Sequence, residues 1–190
     1  MNFFAHRGYS SRYPPNSHAA FAAALRHPRA GAGLAGIETD IHPAADNSIV
    51  VMHDTAIVDR DGRTHAVSSL DQSTLDALVE QDRGHAPPRL ADVLRRVDHR
   101  LSLCLEIKEA GYDRDAFNRR LAALLWDYRP AGDIIVSSFS VACLESAMAA
   151  TRGLDIRFGA LFDSWDAWDR LPAACTRRIH YMHPRWDLLV

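Results

Sequence analysis

The sequence predicts an α/β fold of the TIM type, a parallel (β/α) barrel in which about six of eight strands can be counted, with an extra antiparallel hairpin arm and a small insertion. Three observations carry this prediction. From residue 101 onward, apolar strands alternate with amphipathic helices, which is the pattern of a parallel sheet wrapped by helices. Acidic residues and histidines fall near the carboxyl ends of strands, the face on which such barrels place their sites. Only about five residues join the strand at 36–42 to the apolar run at 48–53. A parallel crossover takes a dozen or more, so that run must come back antiparallel.

The elements follow in order. Residues 3–6 make a short apolar strand that ends in His6 and leads into Arg7 and Gly8. After a loop over 9–15, Asn16 is placed to cap a helix over 17–26 that Pro28 ends, with Phe21 and Leu25 one turn apart on its core face. On the strand at 36–42 successive side chains alternate in direction, so Glu38, Asp40 and His42 share one face while Ile37, Thr39 and Ile41 take the other. Residues 54–99 form an insertion: a turn at 59–62, a helix capped by Asp71 that runs through Val79, then Pro87 and Pro88 ahead of a helix over 90–97. Such a segment either lids a pocket or is a surface excursion from strand to strand.

The strand at 101–108 sets Ser102, Cys104, Glu106 and Lys108 opposite Leu103, Leu105 and Ile107. Beyond it come a helix over 115–128 with Phe117, Leu121, Leu124, Leu125 and Tyr128 on one stripe, a strand at 134–139, and a helix over 141–152 closed by Gly153. A strand at 157–162, a short tryptophan-bearing helix over 165–171 and a strand at 179–182 complete the count. A closed barrel has eight strands and runs to roughly 250 residues. The expectation is therefore one domain over residues 1–190, truncated, with unpaired edges on its first and sixth strands.

Composition narrows the partners. The formal net charge is −2 and no basic run occurs, which argues against nucleic acid and against an anionic membrane. No apolar run approaches the roughly 18 residues of a transmembrane segment, and the first residues carry charge where a signal peptide needs an apolar stretch, so a soluble, cytoplasmic chain is expected. Cys104, Cys143 and Cys175 are odd in number and lack zinc-site spacing, and read as reduced and structural. Of the 22 basic residues all but Lys108 are arginine. A lysine kept at that one position suits a site that wants a compact ammonium rather than a forked guanidinium.

Two carboxylates on one strand face repel unless a cation lies between them, and hard divalent ions prefer carboxylate oxygens. Taken alone, Glu38 and Asp40 fit a solvated acidic face equally well. Their company decides the matter: His6-Arg7-Gly8 at the end of the first strand, His53-Asp54 at the end of the hairpin arm, and Glu106 with Lys108 on a separate strand. The order His-Arg-Gly, Glu-x-Asp, His-Asp, Glu-x-Lys, running from residue 3 to about residue 184, resembles the glycerophosphodiester phosphodiesterase family and, more distantly, the phosphatidylinositol-specific phospholipases C.

The resemblance implies one divalent cation, Mg2+ or Ca2+, on Glu38, Asp40 and Glu106, with His6 and His53 as catalytic acid and base and Arg7 and Lys108 on the substrate phosphate. Ser138 and Phe139 resemble the family's Ser-Phe strand end, with Phe139 lining the pocket; His42, on the metal face but farther along its strand, reads as a rim residue of the pocket, and Asp54 reads as orienting His53 or the turn rather than binding metal. The resemblance also implies hydrolysis of a small-molecule glycerophosphodiester to glycerol 3-phosphate and an alcohol. The alternatives are a phospholipase D or cyclising lyase on lysolipids, or a truncated inactive relative that binds metal or a partner through its open edges, a homo-oligomer among the outcomes. One departure stands out: where the family usually has Pro-Glu-Asn-Thr, this chain has Pro14-Pro15-Asn16-Ser17, so the glutamate is missing at Pro15. His65, His85, His99, His180 and His183 fall outside any motif and read as surface or packing residues, and Trp165, Trp168 and Trp186 as core or interface.

Overall fold

The structure, a computed structural model, describes residues 3–98, 100–128 and 132–189; His99, Val190 and the side chain of Trp186 lie outside the described residues. The elements are β1 (Phe3–His6), α1 (His18–Arg26), β2 (Leu34–Pro43), β3 (Ile49–Val51), β4 (Ala56–Val58), β5 (Thr64–Ala66), α2 (Gln72–Arg83) and α3 (Leu90–Val97). The second half adds β6 (Ser102–Ile107), α4 (Arg114–Asp127), β7 (Ile134–Ser138), α5 (Val141–Ala150), β8 (Ile156–Phe162), α6 (Trp165–Asp169), α7 (Ala173–Thr176) and β9 (Tyr181–Pro184).

Six strands pair in the order β1-β2-β6-β7-β8-β9, every pairing parallel, so the described chain forms an α/β half-barrel. β3 returns antiparallel along β2, with Ile41 opposite Val51, as the short connection requires. The outer face of the sheet is apolar and covered by helices. Ile37, Ile41, Leu103, Leu105, Ile107 and Val136 are all but fully buried against Phe21, Val93, Leu94, Leu121 and Leu144. Each such side chain stabilises the fold by about 1.5–3 kcal/mol relative to exposure, and this layer fixes which face of β2 and β6 turns inward.

Three local expectations change. Asn16 does not cap α1: Ser17 does, its Oγ accepting the Ala20 N–H at 3.1 Å, with φ −109° and ψ 156°. A cap residue needs that extended backbone, whereas Asn16 sits at φ +56°, in the left-handed region that asparagine tolerates better than most residues. The turn at 59–62 is the tip of an unforeseen hairpin, β4–β5, in which Asp59 Oδ1 accepts the N–H groups of Asp61 and Arg63 at 2.9 Å each. The last strand begins two residues late, because the His180 N–H and Nδ1 bond the Phe158 backbone before the β8–β9 ladder starts.

The insertion is packed rather than loose. Ala44, Val50, Met52, Ile57, Val67, Leu75 and Val79 form a second, smaller apolar cluster beneath the hairpin arm. Asp71 caps α2 as expected, its Oδ1 accepting the Thr74 N–H at 2.8 Å, and Gly84 ends it with φ +72°.

Candidate metal centre

Sheet register assembles the site. In the β1–β2 pairing His6 lies beside Glu38, and in the β2–β6 pairing Asp40 lies beside Glu106. Residues on adjacent parallel strands in register point to the same face, so the inward carboxylates of β2 meet that of β6 at the carboxyl ends of the strands. Ligand atoms of Glu38, Asp40 and Glu106 all lie within 4.8 Å of one another, and Asp40 is wholly buried.

Two cations and an amide hold the cluster. Arg7 Nε is 3.2 Å from Asp40 Oδ2, and Lys108 Nζ is 2.9 Å from Asp40 Oδ1 and also pairs with Glu106 Oε1. Asn16 Nδ2 donates to Asp40 Oδ2 at 2.8 Å, while Asn16 Oδ1 accepts the Thr39 hydroxyl at 2.7 Å. The Arg7 N–H donates to Glu38, to its carbonyl at 2.9 Å and to its Oε2 at 3.2 Å, and Arg7 adopts φ +57° to do so. Gly8 follows at φ +80°, and a Cβ there would meet the Ala20 backbone at 2.8 Å, so only glycine lets β1 turn this tightly against α1.

The electrostatics fit a divalent cation. Burial first, then repulsion from Asp40 and Glu106, pushes the Glu38 carboxyl up to about 8, so the three carboxylates resist sharing their charge without a counter-ion. Burial alone would push the Lys108 ammonium down, but hydrogen bonds and charge from Glu106 and Asp40 outweigh it and hold it above its ordinary value. Asp40 Oδ1 is buried and paired to the Lys108 ammonium at 2.9 Å, on the side where Lys108 also meets Glu106. An all-oxygen donor set of this kind suits magnesium or calcium.

The histidines flank the cluster. His6 is 68% exposed, with Nε2 3.8 Å from Glu38 Oε2; partial burial, then the neighbouring Arg7 charge, lowers its pKa. His53 places Nδ1 2.9 Å from Asp54 Oδ1, which orients its ring. His42, expected at the rim, is fully buried instead: the β2–β3 pairing closes over it, and its Nε2 lies 3.3 Å from the His53 carbonyl. Burial drives its pKa down to about 4, so it stays neutral and supports the arm that carries His53. Phe139, just past β7, is 57% exposed, while Ser138 spends its hydroxyl on the Ile107 carbonyl at 2.7 Å. Cys104 is buried, its thiol pushed up to about 12, and inert.

Two clefts open at the cluster. One, about 330 Å³, lies in the mouth of the half-barrel and is walled by Phe4, Cys104, Ile135, Leu161, Tyr181 and His183, with His6, Glu38 and Glu106 at its edge. The other, about 260 Å³, runs between the β1–α1 loop and the insertion, past Arg7, Pro15, Asn16, His53, Asp54 and His85. Sequence reasoning placed His85 and His183 on the surface or in packing and gave Asn16 only a capping role. The adjacent Ser17 was the available signal, since two cap-competent residues in a row leave one free for other work.

Fold and site together define an open TIM-type barrel with an acidic metal-type centre at the carboxyl ends of its strands. The comparisons narrow this further. Residues 6–174 match the glycerophosphoryl diester phosphodiesterase family. The chain belongs to that family. A glycerophosphodiester phosphodiesterase of Bacillus altitudinis is 28% identical over 148 residues, 72% of this chain, and the match spans only 57% of that relative's length. Solved structures agree in fold: a glycerophosphoryl diester phosphodiesterase of Silicibacter pomeroyi (TM-score 0.76, 21% identity) and a phosphodiesterase of Oleispira antarctica in complex with the product sn-glycerol-3-phosphate (0.75, 21%) each cover 97% of this chain and 74% of their own. One from Agrobacterium tumefaciens covers 99% and 76%, with a TM-score of 0.78.

Proposed function

We propose that the chain is a metal-dependent phosphodiesterase that hydrolyses glycerophosphodiesters to glycerol 3-phosphate and an alcohol. The observation that carries this reading is the meeting of Glu38, Asp40 and Glu106 within 4.8 Å, braced by Arg7 and Lys108, in a chain of this family. The reading takes residues 1–190 as one barrel domain and residues 54–99 as its insertion. When bound, magnesium or calcium polarises phosphoryl oxygens and makes a nearby hydroxyl easier to deprotonate.

The chain's own residues do the rest. Arg7 and Lys108, half-buried beside the carboxylates, offset the negative charge that grows on a phosphoryl group in the transition state. His6, exposed at the end of β1, and His53, oriented by Asp54, supply proton acceptor and donor from the two sides of the cluster. The cleft past Arg7 and His53 gives the leaving alcohol a place, walled by Val51, Met52 and Val79 of the arm and insertion. The test is release of glycerol 3-phosphate from a glycerophosphodiester by the purified chain, with magnesium or calcium and with chelator. Metal-dependent release is expected, and no release with either ion would overturn the reading.

A second reading, metal or partner binding without turnover, draws on one observation: His6 lies on β1, at the end of the sheet order, in a chain spanning about half the length of its curated relative. Calorimetric ion binding with no turnover would favour it.

A further inference from the structure

We infer that Asn16 is a positioning residue for the metal centre, which together with Thr39 fixes the Asp40 carboxylate so that Oδ2 is held by the amide and Oδ1 is turned toward Lys108 and Glu106. The inference rests on the metal reading above. Asn16 is 5% exposed and stands at the crossing of the β1–α1 loop over β2, anchored by its own N–H to the Arg7 carbonyl at 3.0 Å. Its amide is used at both ends, donating to Asp40 Oδ2 at 2.8 Å and accepting from the Thr39 hydroxyl at 2.7 Å. The Asp40 carboxylate can only accept, so it takes the NH2 end of the amide, and the Thr39 hydroxyl, able to donate or accept, then donates to the oxygen end. Thr39 and Asp40 are neighbours on opposite faces of β2, so Asn16 straddles the strand and ties the orientation of one face to the other.

The consequence falls on Asp40. Its Oδ2 takes the Asn16 amide and the Arg7 charge at 3.2 Å, and is thereby occupied. Oδ1 remains, buried and met by the Lys108 ammonium at 2.9 Å, on the side of Glu106. Groups that orient a ligating carboxylate change metal affinity by roughly 10- to 100-fold when lost. The left-handed backbone belongs to the same arrangement: φ +56° at residue 16 turns its side chain away from the helix end, which Ser17 caps, and toward β2.

The test uses Asn16→Gly, which tolerates the left-handed backbone while deleting the amide, and Thr39→Val, which removes the hydroxyl that anchors the oxygen end of the amide. Each is titrated calorimetrically with magnesium and with calcium, beside the parent chain and Glu106→Gln, and melted in chelator. Asn16→Gly is expected to weaken ion binding at least tenfold at unchanged stoichiometry, and Thr39→Val to weaken it in the same direction by less. A purely structural role would lower the chelated melting temperature and leave the affinity of the folded variants at the parent value. That result in either variant overturns the inference. If the parent itself binds neither ion, the metal reading fails and this inference with it; if the parent binds and the variants match it, only this inference fails.

Discussion

Glu106 stands beside Asp40 in register, and its removal takes one of three charges from a site whose members meet within 4.8 Å. Glu106→Gln should therefore abolish calorimetric ion binding while the folded circular dichroism spectrum persists, since the change keeps shape and loses only charge. His6→Ala and His53→Ala should each lower turnover by roughly 100-fold or more, the usual loss for a general acid or base. The double variant should lose less than the product of the two, because the pair acts as a unit; wild-type turnover in either single variant removes that histidine from the mechanism. His183 gives a pH prediction. Burial lowers its pKa, so the unfolded chain takes up its proton near pH 6.5 before the native chain does, and the stability it contributes is full above about pH 6.5 and lost as pH falls toward its lowered native value. Melting temperature measured from pH 7.5 to 5 should fall less steeply in His183→Gln than in the parent. Glu38, with its raised pKa, has the opposite sign but is common to both proteins, so the difference between them isolates His183.

The turn that follows β1 sets where Arg7 points, and Gly8 makes the turn possible. Gly8→Ala meets both a left-handed φ and a backbone contact at 2.8 Å, which no side-chain movement relieves, and should destabilise the chain by about 2–3 kcal/mol, read from urea denaturation. A cost under about 0.5 kcal/mol would mean that the turn re-forms without glycine. Elements of this kind show what the sequence displays and what it hides. The strands and their inward faces are legible because alternation is a local pattern: period two puts Glu38 and Asp40 on one face of their strand, the motif order and its family likeness join Glu106 to them, and register brings the three together. The short connection before β3 was equally plain, because chain length forbids a parallel return. The contact of Asn16 with Asp40 has no local signature beyond the second cap-competent residue beside it, Ser17, since a left-handed backbone and a contact across 24 residues leave no pattern in the sequence. His42 was misplaced at the rim for a related reason: alternation gives the face of a strand, while depth depends on what the arm covers. The β4–β5 hairpin escaped because three-residue strands are too short to show a period.

At the scale of the whole molecule, the sheet ends on β1 at one side and β9 at the other, and neither has a second strand partner among the described residues. Both edges present large apolar groups to solvent, with Phe3 49%, Phe4 38%, Tyr181 38% and Met182 46% exposed, and the cleft between them opens onto Cys104, Ile135 and Leu161. In a closed barrel of this type such an interior is filled by layers of side chains. Unpaired ladder groups beside exposed apolar surface favour strand pairing with another chain, so the 190-residue chain should self-associate through these edges or melt at an unusually low temperature. The edges also touch the chemistry, because His6 closes β1, where it pairs with Glu38 on β2 and its carbonyl accepts the Ser10 hydroxyl at 2.8 Å. Phe4→Lys and Met182→Lys, charges of the kind that blunt natural sheet edges, should shift light scattering at dilute concentration toward the monomer and leave the acidic cluster in place. If the edges pair between copies, turnover in the parent should rise with protein concentration as β1 is braced, and the lysine variants should lose that dependence. A chain that stays monomeric at high concentration, melts in the ordinary range and turns over diester at a concentration-independent rate would show that six strands with open edges are sufficient, and that neither edge requires a partner.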